Sequence, residues 1–226
     1  MAWTAQHHGM DGLLPQGYWG PITSSLLWCE DKYRWSKYIA EPMNSVTNLA
    51  FIALALYGAR NSLRSKLPWR YTVTNLGIAL VGLGSLAFHA TLLYEAQLLD
   101  ELPMIYTSLC LSYCILEDSR RNDPKGKKYG VSLPLGLAGS GGLITAGYLA
   151  LPNPILHQVA YAAIQIATTG RVLWLLFAAG SPLGKLDDGG EARRKRAMIR
   201  KSYVFGTAVF LLGFAIWNID NALWVA

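Results

Sequence analysis

The sequence has 226 residues, of which 52% are hydrophobic and 15% are charged, with a formal net charge of +6. Soluble domains carry about 25% charged residues, so this composition argues against a soluble globular domain and favours a membrane protein. The positive charges flank apolar stretches, which favours contact with anionic lipid over nucleic-acid binding.

Six apolar stretches are close to the roughly 20 residues that cross a bilayer. In chain order the predicted spans are Val46–Ala59, Tyr71–Leu93, Leu98–Leu116, Val131–Leu151, Ile155–Gly180 and Tyr203–Val225. The first is short, and we expect its helix to begin near Pro42. The sequence therefore predicts an all-α, polytopic membrane helical bundle that forms a single domain over residues 1–226. Residues 1–42 precede the six transmembrane helices of residues 43–226 and contain no apolar core of a cleavable signal peptide.

Basic residues between the predicted spans indicate the orientation in the membrane. Lysine and arginine cluster after the first, third and fifth spans, within residues 60–70, 120–128 and 185–201. The other connections carry acidic residues or no charge. Because cytoplasmic loops are enriched in Lys and Arg, we expect the basic loops to be cytosolic and the N-terminal segment to be lumenal or extracellular.

Three polar residues of the second and third spans stand out: Ser85, His89 and Asp100. Ser85 and His89 are four positions apart and share one face of a helix. If the two spans form an antiparallel hairpin, Asp100 comes level with His89. Polar and ionisable residues at membrane depth are costly and often functional, so we expect these side chains to lie close together.

Two interpretations of this group stay open. In the first, it is a metal-centred hydrolytic site: His89 binds Zn²⁺, Asp100 is a base or supports the ligand, and Ser85 donates a hydrogen bond to developing charge. In the second, it is an interhelical hydrogen-bond cluster. A serine-hydrolase triad is not favoured, since no Gly-x-Ser-x-Gly motif is present. Asn218 and Asp220, at the end of the sixth span, are placed by the predicted topology on the same side of the membrane.

Acidic residues also precede the first span. Glu30, Asp31 and Glu41 offer the hard oxygen ligands that Ca²⁺ prefers. The spacing shows no EF-hand pattern, so the residues alone favour a solvated acidic loop over a calcium site.

Several motifs together resemble the alkaline ceramidases. They are Gly17-Tyr18-Trp19-Gly20, Trp28-Cys29-Glu30, Gly84-Ser85 with His89, the run QLLDELPMIY over Gln97–Tyr106, and Trp217–Asn221 (WNIDN). The match runs in order along nearly the whole chain, and the N-terminal motif is similar to that of the fungal members. The resemblance implies a seven-helix membrane fold of the endoplasmic reticulum and Golgi. It also implies hydrolysis of the amide of ceramide or a phytoceramide-type lipid to a sphingoid base and a fatty acid.

The resemblance assigns roles to residues and implies two metals. His89 would be one Zn²⁺ ligand, joined by a His-x3-His pair of the seventh helix, with Asp100 taking the proton of the zinc-bound water and Ser85 holding the oxyanion. A Ca²⁺ site would use the Trp28 backbone carbonyl, Glu30 and Glu41. The family also uses an Asp before the Trp and an Asn two residues after the Glu. This sequence has Leu27 and Lys32 at those positions, and a lysine ammonium opposes binding of another cation.

The 226 residues contain no His-x3-His after WNIDN. We therefore expect six spans of the seven-span fold, weak zinc binding and negligible ceramide hydrolysis by this chain. The alternative function is a non-catalytic membrane protein that keeps the lipid-binding cavity.

Overall fold

The computed structural model describes residues 16–117, 119–120, 123–127, 129–183, 185 and 190–224. Within these residues it contains six helices: α1 (Pro42–Arg64), α2 (Trp69–Thr91), α3 (Tyr94–Leu116), α4 (Ser132–Ala150), α5 (Pro154–Phe177) and α6 (Glu191–Trp224). Two short strands, β1 (Ser119–Arg120) and β2 (Asp123–Lys127), pair antiparallel between α3 and α4. The predicted helical fold is confirmed, and the strand pair is an addition within a predicted loop.

Among the described helices, four are long and apolar enough to cross a membrane: α2, α4, α5 and residues Glu191–Ile216 of α6. α1 and α3 each have 23 residues, about 34 Å at 1.5 Å per residue, but they are more polar. Asn44 and Asn48 in α1, and Asp100 and Glu101 in α3, lower their hydropathy. The chain is a polytopic helical membrane protein, whereas crossing by α1 and α3 stays a prediction.

The sixth helix begins earlier than predicted, at Glu191 instead of Tyr203. The added turns contain the basic run Arg193–Arg196, whose long unbranched side chains favour a helix.

The chain divides into two compact units, residues 1–166 and 167–226, so that α5 begins in the first and ends in the second. In the first unit α2 packs against both α1 and α3. In the second, the guanidinium of Arg196 donates to the carbonyl oxygens of Leu176 at 2.8 Å and Ala178 at 3.1 Å. Arg196 thus caps the end of α5, where helix carbonyls lack partners and positive charge is favourable.

α2 and α3 meet closely at Gly84. A Cβ placed on Gly84 would collide with the Leu99 carbonyl oxygen and lie 2.9 Å from the Asp100 nitrogen. Glycine is therefore required for the two backbones to approach each other here. The contact brings Asp100 beside the turn of α2 that contains Ser85.

The N-terminal segment, residues 16–41, folds against the end of α2. The amide of Ala40 donates to the Ala90 carbonyl at 2.9 Å, and that of Glu41 donates to the His89 carbonyl at 2.8 Å. These carbonyls belong to the last helical turn, where carbonyl oxygens have no hydrogen-bond donors within the helix. Beside them, Ala40 forms a buried apolar cluster with Phe88, Leu92 and Ala96. The end of α2 is thereby enclosed, together with His89.

Candidate active site

The structure brings Ser85, His89 and Asp100 together. Ser85 and His89 follow each other along one face of α2, and His89 is buried. The Asp100 carboxylate of α3 lies close enough to the Ser85 hydroxyl and to His89 to interact with both. A hydroxyl, an imidazole and a carboxylate therefore converge between two helices.

Asn48 of α1 joins this group, although the sequence analysis did not assign it a role. Its side-chain amide donates to Ser85 Oγ at 3.1 Å and to the Asn44 carbonyl oxygen at 2.8 Å. Since Ser85 Oγ accepts from Asn48, its own hydrogen is available to Asp100 or to another acceptor. The only signal in the sequence is the polar character of the first turns of α1.

Glu41 connects the N-terminal segment to His89. Its carboxylate Oε2 lies 2.5 Å from His89 Nδ1, and its side chain is fully buried. Burial raises the pKa of Glu41, but the hydrogen bond with His89 and the charge and hydrogen bond of Lys32 together bring that pKa below its ordinary value. Glu41 is thus an ionised carboxylate and can only accept hydrogen bonds.

It follows that His89 Nδ1 is the donor in this contact. In a neutral imidazole the other nitrogen, Nε2, then carries the lone pair. A histidine whose second nitrogen is held by a carboxylate is the usual arrangement of a zinc ligand. His89 therefore has the tautomer required to bind a metal through Nε2.

His89 fits as one zinc ligand, but a complete site is not formed by the described residues. Among them, no group of three or more His, Cys, Asp or Glu side chains is placed to hold a metal ion, and catalytic zinc uses three protein ligands. His7 and His8 lie outside the described residues.

The residues assigned to calcium are engaged with protein groups. Lys32 Nζ donates to the Trp28 carbonyl oxygen at 2.7 Å and forms a short ion pair with Glu41 Oε1. The Glu30 carboxylate accepts from the amides of Met43 at 2.6 Å and Asn44 at 3.1 Å, in the first turn of α1.

Leu27 and Asp31, the two other residues considered for calcium, contribute no oxygen to the contact with Lys32. Leu27 packs against the apolar cluster at the end of α2, and Asp31 is exposed. Two of the predicted calcium ligands, Trp28 and Glu41, thus bind an ammonium group, and Glu30 binds backbone amides.

A second buried polar group lies on the other side of α3. The Tyr148 hydroxyl donates to the Glu101 carboxylate, which also accepts from the Gln97 amide at 3.2 Å. His157 Nε2 donates to the Glu101 backbone carbonyl at 2.8 Å, and the Gln97 side chain reaches Ser25 of the N-terminal segment. Sequence reasoning missed this group, which links α3 to α4, α5 and residue 25.

Two further predicted site residues lie in the second unit. The Asn218 amide donates to the Phe214 carbonyl oxygen of its own helix at 2.7 Å. The Asp220 side chain lies outside the described residues. A role for either in the site stays a prediction.

An apolar groove of about 860 Å³ runs between α2 and α3. Its lining includes Val73, Leu76 and Leu80 of α2 and Leu98, Leu102 and Tyr106 of α3. Ser85, His89 and Asp100 do not line this groove within the part of the chain that the structure describes. The groove is thus an apolar surface distinct from the polar group.

Comparison with known proteins identifies the family of this chain. The family model described as Ceramidase matches residues 20–224. Alkaline ceramidase 3 of Mus musculus is 36% identical over 206 residues, which cover 91% of this chain and 70% of that protein. Alkaline ceramidase YPC1 of Saccharomyces cerevisiae is 32% identical over 213 residues, which cover 90% of this chain and 64% of that protein.

An alkaline ceramidase of Arabidopsis thaliana is 37% identical over 105 residues, which cover 46% of this chain and 40% of that protein. The matched part thus spans less than two thirds of the yeast and plant relatives. The chain belongs to the alkaline ceramidase family, a family of membrane hydrolases.

Proposed function

We propose that this chain acts on the amide bond of ceramide. Hydrolysis of that bond yields a sphingoid base and a fatty acid. One observation carries the proposal: Ser85, His89 and Asp100 converge at the close contact of α2 and α3 in a chain of this family. We further propose that the substrates include phytoceramide-type lipids and that the protein resides in the endoplasmic reticulum or Golgi membrane.

Each residue of the group has a property that amide hydrolysis requires. Water must lose a proton to attack the carbonyl carbon, and in this proposal the Asp100 carboxylate accepts it. The carbonyl oxygen gains negative charge, which a donated hydrogen bond stabilises. The Ser85 hydroxyl can donate that hydrogen bond while its oxygen accepts from the Asn48 amide. When the C–N bond breaks, the leaving nitrogen takes the proton from Asp100, which returns to its starting state.

His89 has a different role in the proposal. Glu41 fixes its Nδ1 and so directs the Nε2 lone pair to a ligand. Zinc bound there would polarise the carbonyl or lower the pKa of a water molecule, with its other ligands coming from outside the described residues.

The test is release of fatty acid from ceramide in detergent at alkaline pH. Residues 1–226 would be assayed alone and as a fusion, at residue 224, to the part of mouse alkaline ceramidase 3 that follows its matched region. The expectation of negligible release by residues 1–226 alone stays a prediction. The fusion is expected to release fatty acid, with losses of about 10²-fold or more in the Asp100→Asn and His89→Ala forms. Full activity of either variant would refute the proposed site.

A second candidate function is lipid binding without hydrolysis, which the apolar groove between α2 and α3 favours. A photoreactive ceramide would then cross-link to both forms of the protein, but the fusion would release no fatty acid. Release by the fusion that depends on His89 would exclude this alternative.

A further inference from the structure

The ammonium of Lys32 lies where the resemblance to alkaline ceramidases implies a calcium ion. It contacts the Trp28 carbonyl oxygen at 2.7 Å and Glu41 Oε1, which are two of the three oxygen groups assigned to calcium. The Lys32 side chain is 7% exposed, and that of Glu41 is fully buried. A buried cation is therefore already present beside two of these oxygen groups.

The remaining groups do not leave room for a second cation. Both oxygens of Glu30 accept backbone amides at the start of α1, and Leu27 offers no oxygen side chain. A calcium ion beside Lys32 would meet a like charge within a desolvated environment, where charge repulsion is only weakly screened. Displacing the ammonium would in turn leave it without its buried carboxylate partner, which is costly.

We propose that the Lys32 ammonium replaces the calcium ion in this chain, so that the N-terminal segment folds without calcium. The single positive charge neutralises Glu41, and its hydrogen bond to Trp28 closes the loop between residues 28 and 32. This inference does not depend on ceramide hydrolysis.

The ammonium is also linked to His89 through Glu41. Lys32 holds one oxygen of Glu41, and the other oxygen contacts His89 Nδ1 at 2.5 Å. The cation therefore acts through Glu41 on the orientation of the imidazole. Lys32 is a positioning residue, whereas the calcium site implied by the resemblance would require a bound ion for the same purpose.

The test compares melting temperatures of the purified full chain in detergent under two conditions. One contains calcium at about 5 mM, which exceeds the dissociation constant of even the weakest usual protein sites. The other contains a chelator. The wild type is expected to melt at the same temperature in both. Lys32→Asn is expected to melt roughly 6–20 °C lower, as for removal of one partner of a buried pair. The matched control is Lys37→Asn, an exposed lysine of the same segment, which is expected to melt like the wild type.

A double variant, Leu27→Asp with Lys32→Asn, restores the oxygen groups that the resemblance assigns to calcium. It is expected to regain stability in calcium but not in chelator, and it provides the comparison if Lys32→Asn alone does not fold. Calcium-dependent melting of the wild type, or binding of one equivalent of radioactive calcium by it, would overturn the proposal. Equal melting temperatures of Lys32→Asn and Lys37→Asn would also overturn the proposal. So would a double variant whose melting temperature is the same in calcium and in chelator.

Discussion

Asp100 and Glu101 are neighbours in α3, yet they enter two different groups of side chains. Consecutive residues of a helix point about 100° apart, so Asp100 meets Ser85 and His89 of α2, whereas Glu101 meets Tyr148 of α4 and the start of α5. One acidic pair in the sequence thus serves two distinct sites.

The difference between the sites lies in how their histidines are held. Glu41 accepts from His89 Nδ1, so the Nε2 lone pair of His89 is not used in that contact. His157 donates through Nε2 to a backbone carbonyl, so that nitrogen forms a hydrogen bond within the protein. The Glu101 side thus connects three helices, whereas the proposed chemistry uses the Asp100 side.

The largest expected effect comes from breaking the contact that places Asp100. Gly84→Ala puts a methyl group against the Leu99 carbonyl, and we expect a loss of about 3 kcal/mol or more in the free energy of unfolding, the upper end of overpacking costs. Denaturant unfolding in detergent measures it. Gly139→Ala in α4 is the matched control, because its added Cβ meets no atom within 4 Å; equal stability of the two variants would show that α2 and α3 do not approach as described.

A smaller loss is expected from the Glu101 side. Glu101→Ala leaves the Tyr148 hydroxyl and the Gln97 amide without their carboxylate partner, at a cost of about 2–3 kcal/mol. Asp100→Asn, at the neighbouring position, is expected to cost less than about 1 kcal/mol while abolishing the hydrolytic activity of the fusion. The same unfolding measurement distinguishes them, and a reversed order of stability would contradict the division of roles.

The smallest effect concerns Asn48. Asn48→Ala removes one hydrogen bond to Ser85, for which we expect about 1 kcal/mol of stability and a modest fall in fatty-acid release by the fusion. Thr47→Ala, whose hydroxyl bonds only to carbonyls of its own helix, provides a control for lost polarity in α1. If the fusions with Asn48→Ala and with Thr47→Ala release fatty acid equally, Asn48 does not position Ser85.

The sequence predicted much of the fold because the helices are long and apolar, and because Ser85 and His89 have helical spacing. It did not predict the links between distant segments. Glu41 was assigned to calcium, whereas it also contacts His89, 48 positions away. His157, 56 positions from Glu101, was assigned no role. Such pairings depend on how helices are rotated about their axes, and a single sequence carries little information about that rotation.

The central claim is that His89 and His157 have opposite neutral tautomers, and nitrogen NMR of histidine-labelled protein at alkaline pH tests it most directly. Ring-nitrogen shifts distinguish protonated from unprotonated nitrogens, and His89→Ala and His157→Ala variants assign the signals. We expect hydrogen on Nδ1 of His89 and on Nε2 of His157. Hydrogen on Nε2 of His89, or the same tautomer at both residues, would contradict the account.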